Sequence, residues 1–220
     1  MCLKDLGKGR IKTNMARLML LFICVAIFSI AYGNDVKQRL QRIPPPVPFF
    51  NEDASLGRWF VQARLAGCGY SSSDTISDFS QLLSREGSGA LISYETWRNG
   101  GLCNTLASRF IRQNVPGVYT VKDPIGALWS GTVINVAIDY KRFKILYGCV
   151  KMSVVGNLCD DPFLNVYTRM PMPNPGTLSV IDSALRNIFG ISLASLPRTP
   201  HGMKCPMNGI RGGMMEKKGK

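Results

Sequence analysis

Residues 57–65 read Gly57-Arg58-Trp59-Phe60-Val61-Gln62-Ala63-Arg64-Leu65. Trp59, Val61, Ala63 and Leu65 alternate with Phe60, Gln62 and Arg64, the period of two that a strand shows when one face lies in a core. Beyond it the same period returns at short intervals. Candidate strands fall at Thr75–Ser84, Gly89–Trp97, Asn104–Gln113, Gly117–Lys122, Ala127–Asp139, Arg142–Lys151 and Pro162–Arg169. Turn signals separate them: Glu86-Gly87-Ser88-Gly89, Asn99-Gly100-Gly101, Asn114-Val115-Pro116-Gly117 and Asp123-Pro124-Ile125-Gly126. Strands without intervening helices predict an all-β sandwich or barrel.

One strong helix follows the last strand. Leu178, Ile181, Leu185 and Ile188 share a helical face. Thr177 or Ser179 is suited to cap its start, and Gly190 to end it.

At the other end, Leu18–Ala31 is apolar apart from Ser29, with Arg17 before it. Ala31 and Gly33 supply the small residues of a cleavage site, so residues 1–33 read as a secretory signal peptide, with Met15 as an alternative start. The run is shorter than the ~20 residues of a bilayer span. Residues 34–50 carry Pro44-Pro45-Pro46 and Pro48 and read as an extended, poorly packed arm. Residues 51–205 form the barrel and its helix, and 206–220 a basic tail.

The 220-residue chain has a net charge of +13. Removing the leader's Lys4, Lys8, Arg10, Lys12, Arg17 and Asp5 from the 27 basic and 14 acidic residues leaves +9. That suits a basic secreted protein or one drawn to anionic partners. With no long basic run and no aromatic-studded platform, nucleic acid is not an expected partner.

Three separated places resemble the lipocalin family. Gly57-Arg58-Trp59 matches its Gly-x-Trp opening. Asp139-Tyr140 matches its Thr-Asp-Tyr block, with Ile138 in place of Thr, and Arg169 matches the closing Arg. The resemblance implies an eight-stranded antiparallel up-and-down barrel with one C-terminal helix packed outside. It also implies that the Arg169 guanidinium lies on the Trp59 indole at the closed end, a structural role. An eight-stranded barrel is just wide enough for one small ligand.

In finer detail, Trp97–Cys103, Cys68 and Cys205 are similar to the alpha-1-microglobulin and complement component eight gamma chain branch. The added Cys149 and Cys159 depart from it. That likeness implies a Cys103–Cys205 bridge. Cys149 and Cys159 can face each other if their strands form a hairpin. Cys68 is then odd: a quiet buried thiol, an exposed reactive or partner-linking one, or a rival partner for Cys149 or Cys159.

Catalytic chemistry finds little support. His201 is the single histidine, and no acid lies near it in sequence. No zinc pair, P-loop or dinucleotide fingerprint exists. The prostaglandin D synthase branch uses a second-strand cysteine that Thr75–Ser84 lacks. The reading is therefore a secreted, non-enzymatic lipocalin with no membrane span. It binds or transports haem, a retinoid, a pigment or a fatty acid, and requires no cofactor. Strand parity puts Val61, Ile92, Tyr94 and Phe110 around the ligand. The alternatives are an interaction subunit joined to a partner through Cys68, or a thiol reductant or radical scavenger using it.

Overall fold

The computed structural model describes residues 35–65, 76–87, 89–122, 130–202 and 205. Cys68, the leader and the 206–220 tail lie outside the described residues. The chain divides into two compact units, Met1–Gln38 and Arg39–Lys220, so the boundary falls inside the 34–50 arm. Of the first unit only residues 35–38 are described, and they are helical.

The second unit opens with a one-turn helix, α1 (Glu52–Ser55), capped by the Asn51 side chain, which accepts from the Ala54 N–H. Eight strands follow: β1 (Gly57–Leu65), β2 (Ser77–Arg85), β3 (Leu91–Asn99), β4 (Leu102–Arg112), β5 (Val118–Lys122), β6 (Ser130–Asp139), β7 (Phe143–Cys149) and β8 (Pro162–Thr168). Each pairs antiparallel with its sequence neighbour, and β8 returns to β1, closing the barrel. Bulges in β1 at Val61/Ala63, β2 at Ser77/Ser80 and β6 at Asn135/Ala137 supply the local bending that closure requires.

The β3–β4 turn shows how local chemistry sets register. Asn99 pairs with Leu102, and Gly100 and Gly101 between them have φ of 56° and 88°. Two consecutive left-handed residues make a two-residue hairpin turn that glycine adopts without steric cost.

The arm is extended but well held from residue 41 onward. Cys159 N–H donates to the Gln41 carbonyl at 2.7 Å, Ile43 N–H to Asn157 at 3.2 Å and Val47 N–H to Asn135 at 2.8 Å. Backbone hydrogen bonds thus replace the loose packing that its prolines suggest.

Helix α2 (Pro175–Phe189) starts earlier than its periodicity implies. Asn174 accepts from the Thr177 N–H at 2.8 Å and Pro175 opens the first turn, a stronger start than Thr177 or Ser179. Gly190 ends it at φ 69°. Its buried row is Thr177, Ile181, Leu185 and Phe189, whereas Leu178 and Ile188 are half-buried. The face is rotated because it packs on the outside of β7, where Phe189 stacks on Tyr147 at 6.1 Å. β7 is consequently buried on both faces.

After α2 a strap pairs edge-on with β1 and β2, Arg198 bridging antiparallel to Ala63. Arg64 N–H donates to Pro197 O, Thr199 N–H to Gln62 O and Asp78 N–H to Pro200 O. The strap ends at Cys205, which is disulfide-bonded to Cys103 beside the β3–β4 turn. A second disulfide, Cys149–Cys159, spans the base of the β7–β8 loop.

Candidate functional site: the barrel interior

The closed end is built by three segments meeting under β1. Trp59 is fully buried, and its indole N–H donates to the Ser55 carbonyl at 2.8 Å. The Arg169 guanidinium lies on the indole, 3.5 Å from the ring centre. Its nitrogens donate to the carbonyls of Tyr140 (2.9 Å), Arg58 (3.0 Å) and Ala54 (3.1 Å). Such a planar fork satisfies itself while keeping one face on an aromatic ring. Gly57 sits at φ 97°, and a Cβ there would come within 3.2 Å of Arg169 Nη1. Asp139 accepts from the Lys141 N–H and from Arg142 Nε, and Tyr140 Oη from the Asn51 N–H at 2.7 Å.

Glu52, which sequence reasoning passed over, seals the same end. It accepts from Arg112, from Tyr119 Oη at 2.9 Å and pairs with Arg85 at 2.9 Å, and Arg85 also bonds Asp53. The Arg112 hydrogen bonds hold its carboxyl below the usual range.

Above this floor the inward faces alternate as strands require, but they are not uniformly apolar. Val61, Phe79, Leu83, Leu91, Phe110 and Val121 contribute to the interior cluster. Val61 and Phe110 are where parity suggested. Ile92 and Tyr94 are not. Leu91 pairs with the interior Phe110, so its neighbour Ile92 pairs with Arg109 on the outer wall, and Tyr94 pairs there with Ala107. Both help line an outer depression of about 550 Å³ with Arg109, Ile111 and Lys122. The correction has a plain cause. On β3 the inward positions between Leu91 and Trp97 are Ser93 and Glu95, so the apolar-inside rule points to the wrong face.

These inward polar residues join a network. Gln81 donates from Nε2 to Ser93 Oγ at 2.8 Å and to Glu95 Oε1 at 3.2 Å. Its Oε1 accepts from Lys144 Nζ at 2.5 Å. Lys144 is 3% exposed, with Nζ over the rings of Trp59 (4.9 Å) and Tyr167 (4.6 Å). Burial, then repulsion from Arg169, pulls its pKa down to about 7 against the attraction of Glu95. Desolvation pushes the Glu95 carboxyl upward. The signal was present in the sequence: Lys144 is the one charge in the run Phe143–Cys149.

Towards the mouth, Glu95, Trp97 and Phe163 are only half-buried, so the upper interior retains accessible surface above a packed floor. His201 sits outside, in the strap, with Nε2 2.7 Å from the Val61 carbonyl and its ring edge-on to Phe60. Among the described residues no group of His, Cys, Asp and Glu is arranged to hold a metal, and no helix is long and apolar enough to cross a membrane.

No model of a known protein family matches this sequence, and no characterised protein is matched by sequence. Solved structures are similar in fold. Apocrustacyanin C1 superposes with a TM-score of 0.59 at 12% identity, over 78% of this chain and 96% of that one. The cockroach major allergen Per a 4 gives 0.57 at 11% identity, over 74% and 92%. Lobster apocrustacyanin A1 gives 0.56 at 15% identity, over 72% and 84%. What these share with the chain is architecture: a closed eight-stranded antiparallel barrel followed by one helix, the lipocalin fold.

Proposed function

We propose that this chain is a secreted lipocalin that carries a small lipophilic molecule in its barrel and is not an enzyme. One observation carries the reading: the barrel is sealed at the Trp59–Arg169 end and keeps accessible inward surface towards the other. A cup of that kind takes one ligand along its axis. The fold shared with the crustacyanins and the cockroach allergen supports a binding role over catalysis. Titrating haem, a retinoid and a fatty acid against tryptophan fluorescence tests the reading. Saturable quenching at one site per chain is expected, and its absence with all three sinks the carrier role. Intact mass of the secreted protein should place the N-terminus near Asn34.

A second reading rests on cysteine parity. The two disulfides engage Cys103, Cys205, Cys149 and Cys159, which leaves Cys68 as the fifth beyond the leader. A partner-linking or reducing thiol there accords with the finer likeness to alpha-1-microglobulin and the complement component eight gamma chain. A band of higher mass on a non-reducing gel supports the covalent link. Iodoacetamide labelling of Cys68 in native protein supports the free thiol.

A further inference from the structure

Lys144 is incompletely served by the protein around it. An ammonium carries three N–H donors and no acceptor. Here one hydrogen bond is made, to Gln81 Oε1, and the Trp59 and Tyr167 rings lie over the same nitrogen. Among the described residues no carboxylate comes within ion-pair distance of Nζ. Glu95 reaches it only through the Gln81 amide, and Arg169 adds repulsion from below. Further up, Arg64 lies against Phe79 and its field reaches Glu95. Buried ammonium groups normally gather oxygen ligands or neutralise. This one is placed at the bottom of a cup whose upper wall, Phe79, Trp97 and Phe163, is aromatic.

We propose that the ligand is a lipophilic carboxylic acid bound head-down, its carboxylate on Lys144 Nζ and its apolar body rising between Phe79, Trp97 and Phe163. This rests on the carrier reading above and narrows it. An acid supplies the missing oxygen lone pairs and the opposing charge together, whereas an alcohol or ester supplies only the first. Because Lys144 is about half ionised near pH 7 when the cup is empty, binding the anion draws a proton onto it.

The test compares cis-parinaric acid with its methyl ester by fluorescence titration at about pH 6.5 and about pH 8.5. The acid should bind at least about tenfold more tightly at the lower pH, the worth of one charge-assisted hydrogen bond. That advantage should shrink at the higher pH as Lys144 loses its proton. Lys144→Met should abolish the acid's advantage over the ester, with a circular dichroism spectrum matching the parent's as the control that the barrel is folded. Equal affinity for acid and ester in the parent protein overturns the proposal, as does an advantage that survives Lys144→Met. Failure of both probes, and of haem and retinol, would instead remove the carrier reading itself and the proposal with it.

Discussion

The ring of Phe163 occupies the space that a side chain on Gly148 would need: its Cζ lies 1.9 Å from where a Gly148 Cβ would stand, across the β7–β8 pair. The glycine is there for room. Gly148→Ala should push the ring aside and destabilise the fold by about 1–3 kcal/mol, as overfilled cores do. Denaturant midpoints check this. Adding Phe163→Ala should recover part of the loss, because the two changes share one space.

At the closed end, Trp59→Ala should cost roughly 3–5 kcal/mol as a large-to-small change at a fully buried site. Arg169→Lys should also destabilise, since an ammonium cannot reach the three carbonyls of Arg58, Tyr140 and Ala54 while lying on the indole. Urea unfolding at the parent midpoint for both variants would displace Trp59 and Arg169 from the barrel floor.

Stability should depend on pH through Lys144. Its pKa is about 7 folded and near 10.5 unfolded, so between these values the unfolded chain holds more protons. The Lys144 contribution therefore makes the fold more stable as pH rises from about 7 towards 10.5. Below about 7 the buried ammonium carries its full desolvation penalty. Glu95, whose folded pKa is raised, acts oppositely: its contribution weakens as pH rises from the unfolded carboxylate value through the folded one. Chemical denaturation across pH 6–10 should show the rise in the parent protein relative to Lys144→Met. Parallel curves would contradict it.

Replacing Cys103 and Cys205 by serine should lower stability by up to about 4–5 kcal/mol, the loop-closure value for a bridge across 102 residues. The strap paired with β1 and β2 should become protease-sensitive in the same variant. Limited digestion followed by mass measurement reads both the site and the rate.

Ligand affinity should fall in Phe110→Ala and hold in Tyr94→Ala, since only Phe110 faces the interior. A parallel titration of the two variants decides it. A loss confined to Tyr94→Ala would move the ligand to the outer depression on β3 and β4.

The strands were legible because their turns are written in glycine, asparagine and proline, and because β5 keeps Tyr119 and Val121 at its inward positions. The closed end was legible too, since Gly57, Trp59 and Arg169 do geometric work that few other side chains can do. β3 defeated the same rule. Ser93 and Glu95 look solvent-facing, yet their partners are Gln81 and Lys144 on strands far away in sequence. Only the closed barrel brings these groups together. Glu52 was obscured similarly, as a short helix before β1 gives no hint that Arg85, Arg112 and Tyr119 converge on it. The buried face of α2 shifted because tertiary packing against Tyr147, not periodicity alone, chose the row that turns inward.

The Cys103–Cys205 bond also turns the second half of the barrel into a covalent ring. β4 to β8 and α2 lie inside it, while β1, β2 and β3 lie outside. A tensile load applied between the two chain ends therefore bypasses α2 and arrives at the β3–β4 corner. Under such a pull the oxidised protein would unravel from its first three strands. Some 102 residues of contour, roughly 340 Å at full extension, would stay hidden until a reductant opened the ring.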